Sequence, residues 1–217
     1  FVKEFQESFP GITFFVMYGQ TEATARLAYL PPEWLGEKMG SIGIAIPGVT
    51  LEVLNAQNLP VKEGELGEIA AKGNNIMKGY YNDPEATQQA LKDGWLFTGD
   101  LAKMDKDGFI YLVGRKKEII KVGGRRISPK EIEEVILSVQ EVIDCTVEGI
   151  YDEILGEGIK ASVVLKEGCD RLEVKDKILR MCKKKLSLFK IPQTICFENM
   201  INMNSAGKKV KNIANNS

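Results

Sequence analysis

A chain of 217 residues, 44% of them apolar, has room for one large domain or two small ones and enough apolar surface for a packed core. Its 29 basic and 30 acidic residues leave a net charge of −1, so no global field draws it to nucleic acid or an anionic membrane, and any anion site has to be local. The absence of histidine excludes Ser-His-Asp and Cys-His catalysis and HExxH zinc chemistry together, and leaves acid or base work to Lys, Asp, Glu or Tyr.

Phe1, Val2, Phe5 and Phe9 fall at helix-like spacing until Pro10-Gly11, after which Ile12 to Met17 reads as a buried strand. It runs into Tyr18-Gly19-Gln20-Thr21-Glu22, and because ligands of open sheets sit beyond the carboxyl ends of strands, that pentapeptide is placed to be a site loop. Tyr18 offers a flat face for a base, Gly19 a close backbone approach, Thr21 a hydroxyl for a phosphate and Glu22 a hard oxygen for Mg²⁺. On spacing alone, a tight turn with a solvated Glu fits equally well. Between Gly40 and Lys72 the segments SIGIAIPGV, TLEVLNA and GELGEIAAKG, bounded by Gly, Pro or Asn, read as a β-rich meander or barrel with no evident catalytic group. Asn75 to Tyr81 reads as a loop, and Asp83 caps a helix that starts at Pro84 and reaches Leu91.

Trp95-Leu96-Phe97 reads as a short buried strand leading to Thr98-Gly99-Asp100, an acid on a Gly turn. Asp100 can accept two hydrogen bonds from a vicinal diol such as a ribose, and Arg115, beyond the apolar run Phe109 to Val113, is a charged fork suited to hydroxyls and phosphates. Taken singly, each also reads as a turn Asp or a surface Arg. Gly114 to Glu118 is the linker candidate, Ile119 to Val122 a strand, and Gly123-Gly124 a bulge or close backbone approach. Ser128-Pro129-Lys130-Glu131 has the form of a capping box, followed by Ile132, Val135, Ile136 and Val139 on one helical face. Strands at 142–150 and 159–166, a helix at 172–186 and a last strand at 194–198 complete a small α+β domain.

Three stretches carry less than their spelling promises. Gly156 to Ala161 matches GxGxxA but precedes a strand where a dinucleotide site needs a helix, and Lys183-Lys184-Lys185 reads as the wet face of a helix. Gly207-Lys208 lacks both the Ser/Thr and the first Gly of a phosphate-binding P-loop. The four cysteines, Cys145, Cys169, Cys182 and Cys196, form no CxxC and read as reduced core thiols. No stretch has the length and apolarity of a membrane span, and the first residues lack a signal-peptide layout, which fits a cytoplasmic enzyme. The chain begins without Met on what reads as the end of a helix, and a piece of a longer protein is expected.

In this order, YGQTE, GELGEI, WLFTGD, GRKKEIIKVGGRRISPKEIE and NSAGKK resemble the adenylate-forming superfamily of acyl-CoA synthetases, peptide-synthetase adenylation domains and luciferases. The resemblance implies an α+β architecture in which residues 1–114 are the β-rich end, a distorted barrel, of a large AMP-binding domain. Residues 115–217 would then be the small C-terminal domain, with a hinge at about 114–118. By the same resemblance Tyr18 stacks on adenine, Gly19 and Thr21 line the phosphates, Glu22 holds Mg²⁺, Asp100 and Arg115 hold the ribose, Lys117 is the hinge, and Gly123 and Gly124 border the pantetheine channel. Lys208 resembles the lysine that reaches the substrate carboxylate and α-phosphate, although Asn202 stands where relatives often have Pro.

The implied chemistry is attack of a carboxylic acid on the α-phosphate of ATP to give acyl-AMP, then displacement of AMP by the thiol of CoA. A carrier-protein phosphopantetheine is the alternative acceptor, with Arg125 and Arg126 favouring the nucleotide phosphates of CoA. A non-catalytic partner-docking module is the reading from another class, and the presence of Thr21, Glu22, Asp100, Arg115 and Lys208 together argues against it. The family's Ser/Thr/Gly-rich phosphate loop has no counterpart in this sequence, so the 217 residues by themselves are expected to bind ATP weakly and not to adenylate.

Overall fold

A computed structural model describes residues 2–203 and residue 209, and the chain separates into two compact units, Phe1–Lys116 and Lys117–Ser217. The first opens with helix α1 (Val2–Ser8), then strands β1 (Val16–Tyr18), β2 (Ala28–Leu30) and β3 (Ile44–Ala45) in an antiparallel sheet of that order. The expected buried strand at 12–17 is corrected here. Only Val16 to Tyr18 pairs, and Ile12 is 56% exposed. The apolar run does not alternate, and β1, at the edge of its sheet, has β2 on one side alone. Because that pair is antiparallel, the rule for ligands at the ends of parallel strands does not place the Tyr18–Glu22 loop; its contacts do.

Strands β4 (Val49–Leu54) and β5 (Gly67–Gly73), helix α2 (Pro84–Ala90), and strands β6 (Leu91–Lys92), β7 (Trp95–Met104) and β8 (Ile110–Arg115) build the second sheet. Its centre is β7, with β5 along one side and β6 and β8 sharing the other, all antiparallel. Gly43 bridges Ile110, which ties the two sheets together. Alternating inward residues such as Val53, Ile69, Leu96 and Ile110 form the core with Leu27. Asp83 caps α2 as its sequence predicts, its carboxylate accepting from the backbone N–H of Ala86 at 2.9 Å. Two expectations shift. Trp95-Leu96-Phe97 is the start of a ten-residue strand that includes Thr98-Gly99-Asp100, so Asp100 is not on a terminal turn. Strand β8 likewise runs on to Arg115, because Arg115 pairs with Asp100, and a short 3₁₀ turn at Lys116–Glu118 follows.

The second unit is built from β9 (Ile120–Val122), β10 (Arg125–Ile127), α3 (Pro129–Leu137), β11 (Val142–Asp152), β12 (Gly156–Leu165), α4 (Arg171–Lys185) and β13 (Thr194–Glu198). Its sheet has the order β10-β9-β12-β11, with β13 parallel to β12 through the α4 crossover that a parallel pair demands. One face of the sheet, with Cys145, Val147, Ile159 and Val163, packs with Ile132 and Ile136 of α3 and Ile178 and Cys182 of α4. All four cysteines are free thiols; Cys145 and Cys182 are buried in this core, and burial pushes the Cys145 thiol up to about 12. The GxGxxA stretch lies within β12, and Lys183 to Lys185 face solvent.

Two local expectations are corrected. Gly123-Gly124 is the two-residue turn of the β9–β10 hairpin, Val122 facing Arg125, and both glycines have positive φ (53° and 78°), as a primed turn requires. Ser128 stands at the N-cap of α3 without a capping hydrogen bond from its side chain, so the capping box is not closed. Both carboxylate oxygens of Glu131 accept from the ammonium of Lys190 at 2.7 Å, a charge-assisted pairing. No helix among the described residues is long and apolar enough to cross a membrane.

Candidate active site

The site begins with an irregularity in β7. Glu68 faces Leu101 and Ala70 faces Phe97, so on β5 the single residue Ile69 stands opposite Thr98, Gly99 and Asp100. A bulge of this kind leaves backbone groups off the ladder and re-aims a side chain. Here side chains satisfy them. The Thr98 hydroxyl donates to the Ile69 carbonyl at 2.9 Å and accepts from the Asp100 N–H at 3.1 Å, and the Gly99 N–H donates to Glu68 Oε1 at 3.1 Å.

The re-aimed Asp100 is 7% exposed and both its oxygens are held: Arg115 Nε lies 2.8 Å from Oδ1, and the Tyr18 hydroxyl donates to Oδ2 at 2.6 Å. Arg115 Nη1 also donates to the Thr98 carbonyl at 3.2 Å, which fixes the guanidinium plane. Burial, reinforced by the bond to Asp100, raises the Tyr18 phenol well above its ordinary value, so it stays a donor. Each carboxylate oxygen keeps a second lone pair. The outcome is an anion of fixed orientation, able to accept two hydroxyls at a defined spacing.

The loop after Tyr18 is set by a glycine. A Cβ on Gly19 would sit 2.0 Å from the Ala25 carbonyl oxygen, far inside contact distance, so no other residue fits without moving backbone. The chain then makes a 3₁₀ turn at Thr21–Ala23 and returns through Thr24 and Ala25, both at positive φ. The segment 75–80 holds this shape: Asn75 Nδ2 donates to the carbonyls of Ala23 and Arg26, Thr24 Oγ1 donates to the Asn75 carbonyl, and the Met77 N–H donates to the Glu22 carbonyl at 2.7 Å. Gly19→Ala is expected to lower the melting temperature by roughly 5–10 °C, since a strained site costs a few kcal/mol. Thermal unfolding followed by circular dichroism checks this, and an unchanged melting temperature would mean the loop relaxes freely.

Thr21 is exposed beside Glu22, whose Oε1 accepts from the Tyr80 hydroxyl at 2.7 Å; that bond raises the Tyr80 phenol above its ordinary value. No group of three or more Asp, Glu, Cys or His gathers as a metal cage among the described residues. A single half-exposed carboxylate nevertheless suits Mg²⁺, which keeps several waters and takes its remaining oxygens from phosphates.

Thus Tyr18, Asp100 and Arg115 are brought into direct contact, and Gly19, Thr21 and Glu22 follow on the same loop. Lys117, Gly123 and Gly124 belong to the second unit, and Lys208 lies outside the described residues. Sequence reasoning did not single out Tyr80, Asn75, Thr98 or Glu68 as supports. Their partners lie 29 to 58 residues away or belong to a bulge, and no local pattern marks them.

A family model described as AMP-binding enzyme matches residues 1–81, and one described as AMP-binding enzyme C-terminal domain matches residues 131–208. The chain is 37% identical over 201 residues to the 2-succinylbenzoate–CoA ligase of Geobacillus kaustophilus, covering 93% of this chain and 40% of that enzyme. Among solved structures it is similar to the o-succinylbenzoate CoA synthetase of Bacillus subtilis in complex with its acyl-adenylate intermediate, with a TM-score of 0.91, 31% identity, and coverage of 100% of this chain and 43% of that one. The same enzyme in complex with ATP and magnesium ion gives a TM-score of 0.86 at 33% identity, covering 96% and 42%. The chain therefore spans about 40% of the length of the relatives it matches. With its sequence motifs in order, two family models matched and an α+β fold shared with these enzymes, the chain belongs to the adenylate-forming, AMP-binding superfamily.

Proposed function

We propose that the protein activates a carboxylic acid with ATP, releasing pyrophosphate and forming acyl-AMP, and then transfers the acyl group to the thiol of CoA with release of AMP. The observation that carries this reading is Asp100, held by Arg115 on one oxygen and Tyr18 on the other and left with the acceptor geometry a ribose diol needs. Similarity to CoA ligases, one of them solved with its acyl-adenylate, supports it.

On this reading Asp100 accepts the ribose hydroxyls and Arg115 keeps its carboxylate from rotating. The part of the Tyr18 ring left uncovered borders the adenine, and Thr21 donates to a phosphate. Mg²⁺, when bound at Glu22, would neutralise phosphate charge as it shifts in the transition state. Tyr80 would orient Glu22 for that task. Lys208 brings an ammonium to the carboxylate and α-phosphate, where positioning and charge do most of the catalysis. Residues 1–114 then act as the closing part of the large nucleotide-binding domain and 115–217 as the small domain that turns about Lys117 between the two steps. Gly123 and Gly124 would pass the pantetheine arm. A Cβ at Gly124 meets nothing within 4 Å, so the turn presents bare backbone.

An acid of aromatic or fatty type fits the relatives' substrates, and ATP and CoA as co-substrates fit a cytoplasmic setting. The test is hydroxylamine trapping by the full-length protein, not by these 217 residues alone, with MgATP over a panel of aromatic and fatty acids. Acyl-hydroxamate with equimolar AMP is expected from at least one acid class. Hydroxamate accompanied by ADP would contradict the reading.

A further inference from the structure

The peptide that joins Thr98 to Gly99 lies one step before Asp100, and side chains hold it at both ends. Its carbonyl accepts from Arg115 Nη1 at 3.2 Å, and its N–H donates to Glu68 Oε1 at 3.1 Å. The other oxygen of Glu68, Oε2, pairs with the ammonium of Lys116 at 2.7 Å, and the Glu68 side chain is only 14% exposed. Arg115 also grips Asp100 Oδ1, so the contacts close a ring that runs from Asp100 through Arg115, its neighbour Lys116, Glu68 and Gly99 back to Asp100. Two consecutive cations thereby balance two carboxylates around one bulge. Gly99 has a φ of 74° and no side chain, so it puts little restraint of its own on that peptide. Cross-strand pairing adds none there, because Ile69 alone stands opposite Thr98, Gly99 and Asp100. Arg115 and Tyr18 orient the Asp100 carboxylate, whereas Glu68 holds the backbone from which it hangs.

We propose that Glu68 is a positioning residue of the ribose site: by fixing the Thr98–Gly99 peptide it sets the place at which Asp100 meets the two hydroxyls of a nucleotide. This rests on the reading of Asp100 as the ribose acceptor. A diol gains both hydrogen bonds at once only where the two acceptor positions are already set, because ordering them at the moment of binding costs affinity. A loosened bulge therefore weakens recognition of the diol and leaves the contacts to the base and phosphate as they were.

The experiment uses the full-length protein and two nucleotides that differ only in the diol, AMP and 2′,3′-dideoxy-AMP, titrated calorimetrically into the unchanged protein and into Glu68→Ala, Glu68→Asp and Glu68→Gln. The unchanged protein is expected to prefer AMP by roughly tenfold or more, as for hydrogen bonds to a charged acceptor. Glu68→Ala should cut that preference by roughly three- to tenfold, the worth of one hydrogen bond, while affinity for the dideoxy nucleotide stays within about twofold. Glu68→Asp keeps the charge but is one methylene too short for the Gly99 N–H, so it should behave in the same way, and it carries the test should the alanine variant fail to fold. Glu68→Gln should restore most of the preference, since its amide oxygen still accepts from Gly99. An equal loss for both nucleotides would make Glu68 merely structural and overturn the proposal. An undiminished preference in Glu68→Ala and Glu68→Asp, or a Glu68→Gln no better than those two, would overturn it as well. Equal binding of the two nucleotides by the unchanged protein would overturn the reading of Asp100 beneath it, and the proposal with it.

Discussion

Lys208→Ala is expected to reduce acid-dependent ATP–pyrophosphate exchange by roughly a hundred- to a thousandfold, the usual cost of deleting one charge-stabilising donor. Thioester formation from supplied acyl-AMP should stay within about twofold, because the role proposed for Lys208 needs its charge only where the carboxylate meets the α-phosphate. The two half-reactions therefore separate. Rates of both in the same preparation decide the matter, and an equal loss in each would make Lys208 structural.

The second large effect is at Asp100. Asp100→Ala leaves Arg115 and the Tyr18 hydroxyl without their shared acceptor; the Arg115 side chain is 48% exposed and its charge is screened by water, so the cost comes mainly from the buried Tyr18 hydroxyl left unpaired, about 1–3 kcal/mol. A denaturant melt should show a drop of that order. Asp100→Asn separates binding from folding, since the amide keeps one acceptor oxygen while losing the charge that Arg115 pairs with. Its AMP affinity, read by calorimetric titration, should fall roughly tenfold or more, as for a charge-assisted hydrogen bond to a diol. AMP binding as tight as in the unchanged protein would remove Asp100 from the nucleotide site.

The sequence carried the second unit well and the first unit less well. Strand β13 ends where the apolar pattern ends, at 194–198, and α4 lies within a residue of its predicted span, because Asp170 caps it and both elements follow a clean period. Strand β1 is shorter than expected because the run Ile12 to Met17, five apolar residues and Thr13, has no period, and only pairing decides which of them extend. The β9–β10 hairpin was missed as such since Gly-Gly fits a bulge and a primed turn equally, and the register of Val122 with Arg125 decides between them. Within the site, the residue types were legible and their mutual support was not. Tyr18 was read for its ring face, whereas its hydroxyl holds Asp100 across 82 residues of sequence. The bulge that aims Asp100 needs two strands in register before it exists at all. Glu22 meets Tyr80 across 58 residues of sequence, beside the bonds by which Asn75 holds the carbonyls of Ala23 and Arg26.

In the proposed reaction a carboxylate oxygen becomes bonded to the α-phosphorus of ATP. Turnover of a carboxylic acid labelled with ¹⁸O in its carboxyl group, with MgATP and CoA, followed by mass spectrometry of the nucleotide product, tests it most directly. AMP carrying one ¹⁸O per thioester formed is the predicted result. Unlabelled AMP, or ADP with the label in inorganic phosphate, would contradict it.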